Sequence, residues 1–456
     1  MRSNPDWRAS VRSFEFLCLA AFLLLLWIAG GASRADVMGQ FVVRLAAWAI
    51  VLVLALRSRL DWRSWCGAGG AIIALCILAV SAQLVPLPPA VWMHLPGRAV
   101  LSGAATIAGQ DQPWRPLTIS PSATWNALGS LIVPVAAFVL SARLNRAQHR
   151  AAWQVVFFLA MFGCMVAALQ FSGARFDNPL INYVPGTASG NFANRNHFAL
   201  FLCIGLLAFV AGFRGSAIFE AHGRALTWAA IAVLSLTMLA TGSRAGFVLF
   251  VAAIAVSAGI LYATISRHSR RSASKTGLAS RFAAPALVIL LLGAAVYFGR
   301  AVSFERAASM SIESDPRTAA LPTLLDLVAK YFPVGSGFGA FDRVFRIDEP
   351  DALLRPLYFN HAHNDWIEIV LDGGLVSVAI AAWALFWVLR RTWRHWQTRM
   401  PGDGLGLATG AIIVVTCLAS LSDYPARTPM IMAVLALAAA GLALPIREDA
   451  VKTPAS

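Results

Sequence analysis

The sequence predicts an all-α membrane protein with about twelve transmembrane helices. Its 456 residues are 58% hydrophobic and 13% charged, with a mean hydropathy of +0.67, a composition foreign to soluble domains of this size. Apolar runs of about 17–25 residues, the length of a membrane-crossing helix, recur along the whole chain. The basic residues between them gather in every second loop, which is typical of a polytopic membrane protein.

These apolar runs make 1–456 a single integral membrane domain. They lie at about 14–30, 39–56, 67–85, 123–141, 151–171, 196–213, 225–241, 245–265, 282–299, 366–389, 405–421 and 429–446. The first run leads directly into further spans, so we expect a transmembrane helix rather than a cleaved signal. Only Gly242, Ser243 and Arg244 separate the seventh run from the eighth, which predicts a tight helical hairpin.

The loops rich in Lys and Arg predict the orientation of the chain. Basic residues are frequent before the first run, after the last run and in every second loop, so both termini, with a tail at 447–456, should be cytoplasmic. This placement accounts for the net charge of +15 without nucleic acid as a partner. The other loops, including long ones at 86–122, 172–195 and 300–365, should lie on the opposite side of the membrane.

The longest loop, 300–365, separates the ninth and tenth runs. Four aliphatic side chains in it recur at helical spacing: Leu321, Leu324, Leu325 and Val328. They predict an amphipathic helix over 318–330, on the membrane surface or against the bundle. The glycine-rich segment 333–341 (PVGSGFGAF) lacks the Gly-Lys-Ser/Thr ending of a phosphate-binding loop, so we expect no nucleotide site.

Polar residues gather on the predicted outer side, at the entrances of apolar helices. Their positions are the segment 191–197 (NFANRNH), with Asn191, Asn194 and Arg195; Arg244 in TGSRAG; Arg317; and His361, His363 and Asn364 in NHAHND. Ionisable groups near membrane depth are costly, so their presence favours a functional site that faces a cavity or a partner. Because all of these residues lie on the same predicted side of the membrane, we expect them to have a function together.

Arginine and histidine suit the transfer of a group from a diphosphate. The guanidinium fork binds phosphate in a bidentate manner and keeps its charge, which stabilises a leaving diphosphate. An imidazole titrates near neutrality and can remove a proton from an attacking hydroxyl. We expect neither a metal nor a cofactor, because His361 and His363 would point apart on a helix and the six cysteines form no CxxC pair.

Each of these residues also has a purely structural interpretation. Asn360 or Asn364 could cap the tenth helix, with Asp365 and Glu368 complementing its dipole. Asn191 and Asn194 could be turn or cap residues. Three further side chains have equally simple explanations: a lipid-headgroup anchor for Arg244, a solvated loop arginine for Arg317 and a hydrogen-bonded structural residue for His363.

The pattern resembles the O-antigen ligase and polymerase superfamily of bacterial integral membrane glycosyltransferases. The resemblance rests on GNFANRNHFALFL, TGSRAGFVLF, the stretch from Arg317 through PVGSGFGAF, and HAHNDWIEIVLDGGL. The signature of the family is a histidine, then Asn, Ser or Gln, nine residues and a glycine, and His363, Asn364 and Gly374 fit this spacing. Ser377 stands where the family normally has Gly, Thr or Tyr, and His361 does not fit the signature.

The resemblance implies a GT-C-like fold and a metal-independent, inverting glycosyltransferase of the bacterial inner membrane with a periplasmic active site. The implied donor is a glycan on undecaprenyl diphosphate, and the acceptor is the hydroxyl of lipid A-core or of a growing polysaccharide, with a protein hydroxyl as the alternative. His363 would be the base, Arg244 and Arg317 would hold the diphosphate, and Arg195 with its neighbouring amides would assist. Asn364 would belong to the same substrate-binding set.

Two other classes of function remain open in the sequence. A twelve-span polysaccharide or lipid transporter would need ionisable residues near mid-membrane, and Arg44 in the second run, which we expect to snorkel or to pair, is the main such residue. A scaffold within the polysaccharide assembly machinery would bind the same bilayer and partners but would tolerate the loss of His363. A transferase would not.

Overall fold

The computed structural model describes residues 13–57, 67–173, 177–182, 184, 186–264, 316–354, 359–398 and 404–446. Several predictions lie outside these ranges: the ninth span at 282–299, the part of the loop at 300–315, and the tail at 447–456. Within the described residues the chain is mostly helical, with one short pair of strands and several long loops.

The helices and strands are numbered here in chain order. They are α1 (Phe14–Ala29), α2 (Met38–Leu56), α3 (Ala68–Ala82), β1 (Pro86–Leu87), α4 (Pro89–Trp92), α5 (Ala99–Ile107), β2 (Arg115–Pro116), α6 (Pro121–Ser130), α7 (Ile132–Ala142), α8 (Arg146–Phe171), α9 (Arg195–Phe213), α10 (Ala217–Thr241), α11 (Arg244–Ala263), α12 (Pro316–Tyr331), α13 (Phe341–Asp348), α14 (Asp365–Thr398), α15 (Leu405–Ala419) and α16 (Pro429–Ala443). Short 3₁₀ turns lie at Asp351–Leu353 and Pro425–Arg427. The strands pair antiparallel, Pro86 with Pro116 and Leu87 with Arg115.

The predicted all-α membrane class is confirmed. Six helical segments in the described part of the chain are long and apolar enough to cross a membrane: Met38–Leu56, Pro121–Ala142, Arg146–Phe171, Arg195–Phe213, Arg244–Ala263 and Asp365–Thr398. Shorter apolar helices cover the other described runs. The fourth run is divided into α6 and α7 at Leu131, because Pro134 cannot donate to the backbone ladder and crowds the preceding turn. The number of spans stays a prediction.

Helix α9 is the centre of the bundle and packs against α8, α11 and α15. Its sequence is apolar around its whole circumference, which is typical of a helix without a lipid-facing side. Small residues allow close approach: a Cβ atom added at Gly205 would lie 2.6 Å from Cβ of Ala160, and one at Gly246 would lie 2.4 Å from Cβ of Ala199. Most of α9 from His197 onward is therefore buried inside the bundle.

The long helix α14 is interrupted at Gly374, where φ is 55° and ψ is −142°. A Cβ atom there would lie 2.0 Å from the carbonyl oxygen of Pro333, so this signature position needs glycine. The backbone groups around the break pair with the glycine-rich segment 333–341: Leu375 N donates to Pro333 O (2.8 Å), Ser336 N to Leu371 O (2.8 Å) and Gly337 N to Asp372 O (2.9 Å). Broken helices at membrane depth need such internal partners.

Helix α12 lies where the sequence predicts a helix over 318–330, but its buried face differs from the predicted one. The structure buries Ala320, Leu324, Leu327 and Tyr331 in a small core with the side chains of α13. Leu321 and Leu325 are exposed instead. Packing against α13 and α14 decides which side of α12 is buried. The spacing of the leucines in the sequence does not by itself decide this.

Candidate active site

The polar segment 191–197 folds into the cap of α9. Asn194 is the N-cap residue, and its Oδ1 accepts a hydrogen bond from Asn196 N at 2.8 Å. The amide nitrogens of Asn194 and Asn196 both donate to Oδ2 of Asp423, at 3.0 and 2.7 Å. The cap of the central helix is thus tied to the loop between α15 and α16.

Asp423 is the buried acceptor around which the site is built. Three basic side chains approach its carboxylate: His363 Nδ1 lies 3.4 Å from Oδ1, His197 Nε2 lies 3.6 Å from Oδ1, and Arg317 Nη2 lies 3.5 Å from Oδ2. Burial by itself would raise the pKa of Asp423, but His197, His363 and Arg317 hold this pKa well below its usual range. Asp423 is therefore an anion at neutral pH.

His363 has an unusual backbone conformation. Its φ of 50° is the only left-handed value at a non-glycine residue in the described part of the chain, and such strain is typical of functional sites. The conformation directs Nδ1 toward Asp423 at ion-pair distance, although no direct hydrogen bond joins the two groups. The side chain is 18% exposed, so the ring is held by the protein and remains accessible at one edge.

The ring of Tyr424 lies between three imidazoles. Its centroid is 4.4 Å from that of His361, 4.9 Å from that of His363 and 5.1 Å from that of His197. Burial, together with the charge of Asp423, raises the pKa of Tyr424 to about 12, so the phenol stays neutral. This aromatic packing fixes the orientation of the three imidazoles around one side chain.

A second charged cluster lies beside the first and is centred on Arg427. Its guanidinium contacts three carboxylates on the first turns of α14: Asp365 at 3.2 Å, Glu368 at 3.1 Å and Asp372 at 3.5 Å. Glu368 also accepts hydrogen bonds from His361 Nδ1 (2.9 Å) and Ala362 N (2.8 Å). Arg427 thus links the 423–427 loop, the start of α14 and the segment that carries His363.

The three arginines predicted to hold a diphosphate occupy two places. Arg317 donates to the carbonyl oxygen of Ser422 at 3.0 Å and remains 37% exposed beside Asp423. Arg244 is exposed at the start of α11. Arg195 is exposed at the start of α9, and its Nη1 lies 3.6 Å from the position of a Cβ atom added at Gly242. Arg195 therefore reaches the turn between α10 and α11, two residues before Arg244.

The remaining predicted residues have structural contacts. Asn364 caps α14, accepting from Ile367 N (3.1 Å) and donating to Leu421 O (2.9 Å). Asn191 is buried, and its Oδ1 lacks a hydrogen-bond partner among the described residues. The described residues hold no group of three or more His, Cys, Asp or Glu side chains arranged to bind a metal.

Sequence reasoning missed the loop 421–429 (LSDYPARTP), which supplies Asp423, Tyr424 and Arg427. Its signal was an acid, a phenol and a guanidinium within one short connection between two apolar runs. The loop lies far along the chain from His363, and no spacing rule connects the two. Only the packing of α14 against α15 and α16 brings them together.

Residues 229–382 of the chain match the O-antigen ligase family. The predicted membership of the O-antigen ligase and polymerase superfamily is confirmed by this match, which covers about a third of the chain. No curated protein matches the chain.

The matched stretch contains Arg244, Arg317, His363 and Gly374, and it ends before Asp423. The match supports a ligase or polymerase type of function, and hence an enzyme, in a membrane protein. Asp423 and Tyr424, which contact His363, lie outside the matched stretch, and so do Asn194, Asn196 and His197, which contact Asp423. The candidate site is therefore assembled from the matched stretch and from segments on either side of it.

Proposed function

We propose that this protein transfers a glycan from undecaprenyl diphosphate to an acceptor hydroxyl at the periplasmic face of the bacterial inner membrane. The observation that carries the proposal is the position of His363, whose Nδ1 faces the buried Asp423 anion at 3.4 Å. This arrangement is the one expected of a general base whose orientation and charged form are supported by a carboxylate.

In the proposed reaction His363 Nε2 takes the proton of the acceptor hydroxyl. The hydroxyl oxygen then bonds to the anomeric carbon of the donor sugar, while the bond from that carbon to the diphosphate oxygen breaks. The diphosphate leaves with the bonding electron pair. Asp423 stabilises the imidazolium that forms, because it keeps its negative charge when His363 becomes positive.

The arginines at the mouth of the site would bind the diphosphate. Arg195 is exposed and reaches the turn that precedes Arg244, Arg244 is exposed, and Arg317 is partly exposed beside Asp423. A guanidinium fork matches phosphate oxygens in a bidentate manner and stabilises the charge that develops on the leaving group. A single displacement of this kind inverts the anomeric carbon and needs no metal ion.

The experiment that tests the proposal uses purified protein and an undecaprenyl-diphosphate-linked oligosaccharide, with and without lipid A-core. We expect transfer that depends on His363, measured as release of undecaprenyl diphosphate and as a longer glycan product. A ladder of glycans from donor alone identifies a polymerase, and a product only with lipid A-core identifies a ligase. Transfer that persists in His363→Ala contradicts the proposed base, and transfer to a protein substrate alone supports the protein O-glycosyltransferase alternative.

A transporter is the second candidate, favoured by one specific observation. Helix α14 is discontinuous, and its first half carries the buried carboxylates of Asp365, Glu368 and Asp372. Discontinuous helices with ionisable groups are typical of transporter substrate sites. Movement of a labelled lipid-linked glycan across a proteoliposome membrane, without release of its diphosphate, would favour transport over transfer.

A further inference from the structure

Helix α2 carries an arginine whose position the transferase proposal does not use. On this helix Phe41, Leu45 and Trp48 are each more than half exposed and form the face that would meet lipid. Arg44 lies at the edge of that face, toward α6. Its Nη1 donates to Asn126 Oδ1 at 2.7 Å, and its Nη2 donates to Gln40 Oε1 at 3.1 Å.

Both partners of Arg44 are neutral amides. In the described part of the chain its guanidinium has no carboxylate within ion-pair distance, and its Nε has no hydrogen-bond partner. Two of its five N–H groups are used in these hydrogen bonds, and no carboxylate among the described residues balances its positive charge. An uncompensated charge on a membrane-capable helix is costly and is by default a sign of a ligand.

There is open space beside this guanidinium. Among the described residues, and apart from the backbone of α6 itself, a Cβ atom added at Gly129 would have only Arg44 Nη1 within 4 Å, at 3.8 Å. Trp125, one turn earlier on the same helix, is exposed. Gly129, Asn126 and Arg44 therefore border a notch between α2 and α6 beside the exposed Trp125, and the buried Gln40 holds the guanidinium from α2.

The notch lies near the N-terminal end of α2, which is also the end of this helix nearest the candidate active site. Gln40 donates to the carbonyl of Ala32 (2.7 Å), in the loop before α2, and the same loop accepts backbone hydrogen bonds from Ala193 and Met430. Side chains on a helix lean toward its N-terminus, so the Arg44 guanidinium is directed toward that end. The guanidinium is therefore directed away from the middle of α2 and toward the loop that precedes this helix.

We infer that this notch binds the phosphate group of a membrane lipid, with Arg44 as the charged donor and Gln40 and Asn126 fixing its orientation. The free N–H groups of the guanidinium match the geometry of phosphate oxygens. Two lipids carry this chemistry, a phospholipid and an isoprenoid diphosphate, and both have chains that would lie along the exposed Phe41, Leu45 and Trp48 side chains. The inference does not depend on the transferase proposal, because lipid binding is measured without turnover.

Native mass spectrometry of the purified full-length protein tests this inference. The probes are phosphatidylglycerol, undecaprenyl diphosphate and diacylglycerol, which lacks phosphate. We expect the wild-type protein to retain one of the phosphate-bearing lipids, and Arg44→Gln to reduce this retention roughly tenfold, the loss expected for one charge-assisted hydrogen bond. Preference for phosphatidylglycerol identifies a headgroup site, and preference for undecaprenyl diphosphate identifies a donor-lipid site.

Two further variants separate binding from folding. Arg57→Gln removes the arginine at the other end of α2, which lies over the ring of Phe14, and should leave retention unchanged. Gly129→Leu fills the notch but keeps Arg44, and should reduce retention as Arg44→Gln does. Equal lipid retention by the wild type and Gly129→Leu, or equal retention of diacylglycerol and the phosphate-bearing lipids, would overturn the inference.

Discussion

Two ionisable side chains that are distant along the chain, His363 and Asp423, face each other in a largely buried site. At the scale of the residue, the proposed chemistry depends on this pair and on the exposed arginines near it. His363 is in the left-handed region, and Asp423 keeps its charge because three basic groups surround it. Three substitutions test these residues one at a time.

His363→Ala should reduce glycan transfer by about 10²- to 10⁴-fold, the usual contribution of a general base. Because Asp423 keeps its amide donors Asn194 and Asn196 and its basic neighbour Arg317 without His363, the abundance of the variant in membranes should stay close to that of the wild type. His94→Ala, which removes an exposed histidine elsewhere in the chain, is the matched control and should keep wild-type transfer. Normal transfer by His363→Ala would remove the proposed base.

Asp423→Asn should also abolish most transfer, since it removes the anion that stabilises the His363 imidazolium; loss of such a carboxylate costs up to about 10⁴-fold in a serine protease triad. The exposed Asp36→Asn variant is the control. The stability effect has a defined pH dependence. Because the pKa of Asp423 is lower in the folded protein than the unfolded value of about 3.9, its stabilising contribution is present above that pH and is lost as the pH falls through the folded-state pKa.

Thermal unfolding measured at several pH values checks this second effect. The difference in midpoint between the wild type and Asp423→Asn should be full at pH 7 and should shrink in acid below about pH 4. A difference that grows in acid would contradict the depressed pKa.

Arg244→Lys keeps the charge but removes the planar fork. We expect transfer to fall by about 10- to 100-fold, since charge-assisted hydrogen bonds contribute about 1.5–3 kcal/mol each. The Michaelis constant for the donor and the turnover number, measured together, show whether binding or leaving-group stabilisation is affected. Wild-type kinetics in this variant would mean that Arg244 only anchors α11 at the lipid headgroups.

At the scale of the element, the break in α14 explains the glycine of the family signature. His363 lies just before α14, and the first half of this helix carries the carboxylates that bind Arg427. Gly374 ends this half, at the point where segment 333–341 forms its backbone hydrogen bonds. A regular helix over this run would leave the backbone groups of 333–341 without these partners.

Gly374→Ala should destabilise the protein by at least about 1–3 kcal/mol, because the residue has a positive φ and its Cβ would collide with Pro333. Gly259→Ala on α11 is the control, since nothing lies within 4 Å of a Cβ atom there. That control should be neutral or slightly stabilising, as expected for Gly to Ala in a helix. Unfolding midpoints of the two purified variants check the contrast, and equal midpoints would argue against a required glycine.

At the scale of the whole molecule, Arg427 connects parts of the site that are distant in sequence. It pairs with three buried carboxylates of α14, and its own pKa is held above the usual range because these carboxylates outweigh the effect of burial. The site therefore depends on a buried charge network as well as on helix packing.

Arg427→Gln should destabilise the protein by about 3–5 kcal/mol, because three buried carboxylates would lose their cation. Arg346→Gln removes an exposed arginine paired with Asp342 within one helix and should change stability by less than about 1 kcal/mol. Denaturant or thermal unfolding of both variants measures the difference. Similar small effects would show that the network contributes little to the fold.

Composition and hydropathy predicted the membrane class and the helical runs. A chain that crosses lipid needs long apolar helices, whichever other helices they pack against. The motifs and their spacing predicted the family, and they identified His363, Arg244 and Arg317 as candidate site residues. The buried face of α12, the break at Gly374 and the pairing of His363 with Asp423 required the tertiary structure. These features arise from contacts between segments far apart along the chain, which local periodicity and spacing do not encode.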